Sequence, residues 1–538
     1  MWWSEITRIL LMGAWWWAGA TIRGAGAGMG YDVIVVGGGS AGCVVAARLS
    51  ADERRRVLLV EAGPDYPAVA DLPADIADAS VPALSHDWGF SSEPDESGRS
   101  VPLPRGRLMG GCSATNACFA LRGWPADYDG WAAGGNPGWS FADLLPFFRA
   151  VESDADFGGD WHGSGGPIPV RRPSAGELSP LQRAFAEAAA AAGHPLAADH
   201  NRPGVVGIGP GPRNTHDGVR MSTALTHLAG ARGRANLAIR ASVVADRVEL
   251  RGTTVRGIRL AGGETVDSDA VVLAAGSYAS PAILLRSGIG PAAGLRDLGI
   301  QVAADLPGVG SNLIDHPLVA VDLPTPGGYA GPRFQQMLTL RSSRAAPGGP
   351  PDLHIFAAGP FDNPAIPAGG VFGLVTGLLS VRSRGSVRLR SADPADPPRI
   401  DIAHLRHPED MARMIEATLH ARRLSRTPPL TELITGAELA PGSAISDDDT
   451  AGLARSIRER AGSYHHPVGT CPMGPSPNHG AVVSSRGAVH GISGLWVADA
   501  SVMPAIPAAN TNLPTVVVAE RIAQWLLGHT EPALRRVG

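Results

Sequence analysis

The feature that most constrains this chain is its first recognisable segment. Tyr31–Val36 (YDVIVV) is a β-branched run that ends in Gly37-Gly38-Gly39-Ser40-Ala41-Gly42 and continues as a helix-forming stretch, Cys43–Leu49. A second strand-like run, Val57–Val60, stops at Glu61, 19 residues after Gly42. Strand, glycine turn, helix, strand and acid, in that order, are what a dinucleotide-binding βαβ unit requires. Gly37 permits the tight turn, Gly39 lets backbone N–H groups approach a pyrophosphate, and Gly42 allows helix and strand to pack closely. The helix N-terminus adds partial positive charge for phosphate, and Glu61 can accept from ribose hydroxyls. A parallel, Rossmann-like sheet of the α/β class follows.

Composition narrows the chemistry. None of the 538 residues is lysine, so the 46 basic residues are all arginine, against 50 acidic ones, for a net charge of −4. A lysine Schiff base, a pyridoxal-phosphate lysine and a Walker-type phosphate loop are excluded, because each needs an ammonium group. Near-neutral charge with dispersed arginine argues against nucleic acid as a partner. At 44% hydrophobic and 18% charged residues, the chain is globular rather than disordered. Its cysteines, Cys43, Cys112, Cys118 and Cys471, have no CxxC spacing. No disulfide framework or metal site is therefore expected, and a reducing cytoplasm fits best. Residues 1–29 carry Trp2, Trp3, Trp15, Trp16 and Trp17 and a 14-residue apolar run between Arg8 and Arg23. That run is short for a membrane span of about 20 residues. The segment reads as a tail or a misassigned start near Met29; an interfacial membrane anchor and a signal peptide are the alternatives.

Further along, Gly106-Arg107-Leu108-Met109-Gly110-Gly111-Cys112-Ser113-Ala114-Thr115-Asn116 is a loop whose backbone can lie against a flat ligand. Helices are expected over 141–151 and 179–192, strands over 236–260, and a buried strand over 270–275 that runs into a short helix opened by Pro281. Residues 320–460 contain strand-like runs and one amphipathic helix near Pro408–Leu424, as expected of an antiparallel sheet flanked by helices. The C-terminal part holds a turn-rich loop, Tyr464-His465-His466-Pro467-Val468-Gly469-Thr470-Cys471, and Asn510-Thr511-Asn512-Leu513-Pro514-Thr515 ahead of a helix at 516–527, with Asn512 as its expected cap.

Four segments together resemble the glucose–methanol–choline (GMC) family of FAD-dependent alcohol oxidoreductases: GGGSAG with Glu61, GRLMGGCSATN, GSYASPAILLRSGIG, and HPVGTCPMG with the VADASVMP…NTNLPT end. The similarity is to the bacterial choline-dehydrogenase-like and hydroxymethylfurfural-oxidase-like branches. It implies a discontinuous FAD-binding domain of residues 30–160, 201–318 and 461–528. An interleaved substrate domain of 161–200 and 319–460 is implied too, with a tail at 529–538. FAD contacts are implied for Gly37, Gly39, Ser40, Ala41, Gly42, Glu61, Arg107, Gly110, Gly111, Thr115, Asn116, Val243, Gly276, Asp499, Ala500, Asn510, Asn512, Pro514 and Thr515. Some relatives carry a flavin-bonded histidine at the position of Thr115, which has no comparable nucleophile, so the FAD is expected to be non-covalent.

Oxidising an alcohol removes a proton from oxygen and a hydride from carbon, and the flavin takes the hydride. The protein must supply a base and hold the substrate. His466 is the expected base, with Asn512 as the second polar group at the substrate oxygen. The expected reaction turns a primary alcohol into an aldehyde, with electrons leaving to a quinone, a redox carrier or the respiratory chain. For the carrier, the peptide-derived mycofactocin is one candidate. An oxygen-using oxidase and a redox-silent lyase, such as a hydroxynitrile lyase, are the alternatives.

Overall fold

The computed structural model describes residues 30–329 and 331–528; the tail readings at 1–29 and 529–538 lie outside the described residues. The GGGSAG turn connects Val33–Val36 to the helix Gly42–Leu49, and the next strand is Val57–Val60. These strands form a parallel sheet in the order Leu495–Val497, Val271–Leu273, Val33–Val36, Val57–Val60, Leu237–Arg240. Every residue of the two central strands is buried, as a parallel sheet covered on both faces demands. Gly42 is obligatory: a Cβ there would sit 1.7 Å from the Gly37 carbonyl oxygen. The C-terminal helix, Asn512–Leu526, packs on Gly42–Leu49, and Arg48 reaches Glu520 at 2.7 Å across that contact.

A second sheet is antiparallel throughout. Its strands run in the order Gly462–Ser463, Pro317–Pro326, Gly369–Leu378, Leu353–Asp362, Gln336–Leu340, Gly207–Pro210. The edge strands at 207–210 and 462–463 come from segments expected in the other unit, because their backbone pairing ties them to this sheet. Alternation decides what each face does. Val319, Val321, Leu338, Ile355, Phe372 and Leu374 join the main core, against which the helices Pro180–Ala191 and Pro408–Ser425 pack. Their neighbours Leu318, Met337, Phe356 and Val375 face the other way and cluster with Phe119, Phe334 and Tyr464. Met337, Phe356, Val375 and Ala320 lie in one cross-strand row. The sheet thus gives a face to each unit.

Two expected helix starts are corrected. The helix after Val271–Leu273 begins at Gly276 and runs to Arg286, with Pro281 inside it. Pro281 has no N–H to give the Ser277 carbonyl; the Thr470 hydroxyl donates to that carbonyl instead, at 2.7 Å. The last helix begins at Asn512 rather than after it, with Thr511 at the cap position and no side-chain cap bond. Pro514 is tolerated there because first-turn N–H groups have no partner within the helix. Among the described residues, no helix is long and apolar enough to cross a membrane.

Candidate active site

The loop carrying His466 is held from several directions. His465 adopts φ 64°, a left-handed conformation that is costly for a residue with a Cβ, so the surroundings must fix it. Its N–H donates to Ser463 Oγ at 2.7 Å, and Arg105 donates to its carbonyl at 3.0 Å. Asp315 accepts from the His466 N–H at 2.8 Å and from the Ser463 hydroxyl. Burial pushes the Asp315 carboxyl up to about 6, against the pull of these donors and of Arg105. Ser277 Oγ donates to the Pro467 carbonyl at 2.6 Å, so the Gly276–Arg286 helix clamps the loop by two hydroxyl bonds, one in each direction.

The clamp aims the His466 imidazole between three groups. Its Nδ1 is 3.1 Å from Nδ1 of His316, its Nε2 is 3.1 Å from Nδ2 of Asn510, and the Tyr464 ring lies with its centroid 4.3 Å away. Burial, then the facing His316 and His465, hold His466 well below the ordinary histidine range, so it is neutral at physiological pH. Beyond it stands the aromatic wall of the antiparallel sheet: Phe356 stacks on Tyr464 at 5.4 Å, with Phe334 at 5.9 Å from Phe356.

The expected partner of His466 is corrected. Asn510 reaches His466, while Asn512 stands in the first turn of the helix. Asn512 Oδ1 is buried and makes no hydrogen bond within the chain. His316 was not singled out as a site residue by the sequence. Its approach to His466 spans a 150-residue separation that no local pattern reveals.

The expected cofactor residues gather around the end of the parallel sheet. Gly110 N–H donates to the Gly38 carbonyl at 2.7 Å, joining the two glycine loops. A Cβ on Gly111 would lie 2.7 Å from Gly39 Cα, while one on Gly39 would meet nothing closer than 3.9 Å. The two glycine loops therefore pack backbone to backbone at the start of the Gly42–Leu49 helix. Ser40 and Ala41 complete the first loop. Thr115 follows the 3-10 turn Gly111–Ala114, and Asn116 Oδ1 is used locally by the Cys118 N–H at 2.8 Å. Glu61 accepts from the N–H groups of Gly38 and Gly63 at 2.8 Å each, and its burial pushes the carboxyl up to about 7. Val243 N–H bonds the Glu61 carbonyl at 2.9 Å, which brings the 242–243 turn over the end of the second strand. Arg107 stacks 4.8 Å over Trp88. Asp499 accepts from the Gly276 N–H at 2.8 Å and the Ser501 N–H at 2.8 Å, placing Ala500 beside the same strand end. Thr515 is turned inward, its hydroxyl on the Thr511 carbonyl at 2.6 Å, next to Pro514. Two glycine loops packed backbone to backbone, backbone donors at a helix start, a buried acid and the unpartnered Asn512 Oδ1 suit an extended dinucleotide with an N–H-bearing ring.

A parallel sheet with a glycine turn at a helix start, together with an antiparallel sheet and a buried histidine–asparagine pair, is the architecture of the dinucleotide-binding class. The GMC oxidoreductase family matches residues 31–318 with its N-terminal part and 381–519 with its C-terminal part. The chain is 37% identical to the 5-(hydroxymethyl)furfural oxidase of Methylovorus sp., over 92% of this chain and 98% of that protein. It is 34% identical to the oxygen-dependent choline dehydrogenase of Brucella canis, over 93% of this chain and 96% of that one. Among solved structures, pyridoxine 4-oxidase from Mesorbium loti matches with a TM-score of 0.85 at 34% identity, covering 93% of this chain and all of that one, 100%. The chain belongs to the GMC oxidoreductase family: it is an FAD-dependent oxidoreductase acting on CH–OH donors.

Proposed function

We propose that the protein oxidises a primary alcohol to an aldehyde, with His466 as the proton acceptor and Asn510 as the donor to the alcohol oxygen. The observation that carries this is the neutral, buried His466 with its Nε2 3.1 Å from the Asn510 amide nitrogen. The alcohol hydroxyl enters between them, donating to Nε2 and accepting from Asn510. FAD, when bound, supplies the two-electron acceptor for the hydride that leaves the carbon. The hydroxyl proton ends on His466, the carbon–oxygen bond becomes a carbonyl, and charge is balanced. Asn510 offsets the negative charge that develops on oxygen as the proton leaves.

The Tyr464–Phe356–Phe334 rings beside His466 suit an alcohol with an apolar or aromatic body; a quaternary ammonium, which aromatic faces also bind, is the competing class. Gly37, Gly39, Gly110 and Gly111 hold the dinucleotide by their backbones, with Glu61 on its ribose side and Asn512 on the ring side. Thr115 leaves the FAD non-covalent. The acceptor is a quinone or other carrier on the sequence reading. Oxygen is the second reading, favoured because two of the relatives above are named oxidases.

A panel of aromatic, aliphatic and quaternary-ammonium alcohols, added anaerobically to the purified holoenzyme, tests this. Bleaching of the FAD by the aromatic or apolar members is expected; no bleaching by any alcohol overturns the alcohol reading and leaves the lyase. Re-oxidation by air or only by an artificial acceptor separates oxidase from dehydrogenase. Acid precipitation is expected to leave the yellow colour in solution.

A further inference from the structure

Two histidines face each other through like atoms, His316 Nδ1 and His466 Nδ1, 3.1 Å apart. Such a contact is a hydrogen bond only if one ring carries its proton there and the other does not. The far end of His316 decides which. Its Nε2 lies 3.1 Å from the Leu379 carbonyl oxygen, and a carbonyl only accepts. His316 Nε2 is therefore the donor. The ring is wholly buried, and burial drops His316 to about 3, so it carries a single proton. That proton sits on Nε2, and Nδ1 presents a lone pair. His466 must then donate from Nδ1, which leaves its Nε2 bare towards Asn510 Nδ2, an atom that only donates. Leu379 is itself fixed, its N–H on the Asp352 carbonyl at 2.8 Å, and the His316 carbonyl holds the Tyr464 N–H at 2.9 Å. Both ends of the relay are thus rigid backbone.

The geometry points to His316 as a positioning residue that selects the tautomer of His466, relaying the direction of the Leu379 carbonyl so that His466 offers an unprotonated Nε2 to the alcohol. The inference rests on the reading of His466 as proton acceptor. The logic is that of a base oriented by a third group, here with a backbone carbonyl and a neutral imidazole in the place usually taken by a carboxylate. When His466 is protonated, His316 Nδ1 still accepts from it, so the bond persists through the reaction.

The test uses holoenzyme labelled with 15N-histidine, the His466 signals being assigned by their loss in His466→Gln. Wild-type His466 is expected to show a protonated Nδ1 and a bare Nε2. His316→Leu, which has no acceptor, is expected to lose that preference and to slow anaerobic FAD reduction by an active alcohol about 10- to 100-fold, the usual range for an outer-shell orienting partner. His316→Asn, whose Oδ1 accepts in the place of Nδ1, is expected to restore both to within a few-fold. A protonated Nε2 on wild-type His466, or equal losses in the Leu and Asn variants, overturns the proposal. The spectra need no turnover: a bare Nε2 with a flavin that no alcohol reduces refutes the alcohol reading and leaves the relay standing. If His316→Leu does not fold, the wild-type tautomer and His316→Asn still decide.

Discussion

Two buried histidines of this molecule have opposite fates, and the contrast shows what burial does and does not decide. His162 and His466 are 5% and 7% exposed, so solvent contact does not separate them. Around His162 stand carboxylates: Nδ1 is 3.1 Å from Glu152 and 3.0 Å from Asp154, and Nε2 is 2.8 Å from Asp199. Arg122 reaches Glu152, and Arg172 bridges Asp154 and Asp199 at 2.8 and 3.0 Å. Both ring nitrogens donate, so the ring is an imidazolium, and three cations meet three anions. Burial alone would lower His162, but Asp154, Asp199 and Glu152 raise it to about 10. The same cluster groups Glu152, Asp154 and His162 as a metal site would, but Glu152 Oε1 and both Asp154 oxygens already hold arginine and both ring nitrogens carry protons, which leaves Glu152 Oε2 as the one atom of the three side chains without a partner. The His466 ring meets a neutral histidine, an amide and a phenol, and the Asp315 carboxyl contacts its backbone N–H rather than its ring. Partner chemistry, not depth, makes one histidine a clamp and leaves the other free to accept a proton.

Breaking the clamp should produce the largest loss of stability. Arg122→Met leaves Glu152 charged, buried and short of a partner. We expect a loss of about 3–5 kcal/mol in a denaturant titration, whereas His466→Gln should shift the midpoint far less. Next comes the pair of asparagines. Asn510→Ala should slow anaerobic FAD reduction by about 10²-fold with the cofactor retained, and Asn512→Ala should instead increase FAD loss on dilution, read as flavin fluorescence released; equal kinetic effects would blur the division between them. The pH dependence of stability should carry both signs. The His162 contribution is complete below pH ~6.5, the unfolded value, declines as pH rises, and is gone above about 10. His316 and His404, lowered by burial to about 3, contribute in the opposite sense: fully above pH ~6.5, and lost as pH falls towards 3. Melting temperatures across pH should therefore fall on both sides, and His162→Leu should flatten the alkaline side only. The smallest effect is expected from Thr470→Val. It removes the donor that replaces the missing Pro281 N–H and should cost about 1–2 kcal/mol, read by the same titration.

The legible parts of this molecule were those written in local order. The βαβ unit, the glycine loops and the antiparallel sheet were readable because each is a short pattern of characteristic period or spacing; His466 was reached only through the family resemblance of its segment. What escaped the sequence were choices made by tertiary partners. Asn510 and Asn512 both sit in NTNLPT, and the order of residues there does not tell which one meets His466. Pro281 looked like a helix opener because its missing N–H is cheapest there; Thr470, 189 residues further on, removes that restriction. Nothing local to His162 or His316 tells them apart; only their distant neighbours make one an imidazolium and the other a neutral relay.

The central claim is that His466 takes the alcohol's proton. Stopped-flow reduction of the enzyme-bound FAD, without oxygen and with an alcohol that bleaches the wild type, tests it in His466→Ala. The account predicts stoichiometric FAD and a reduction rate at least about 10²-fold, and up to 10⁴-fold, below wild type; reduction at a near wild-type rate would contradict it.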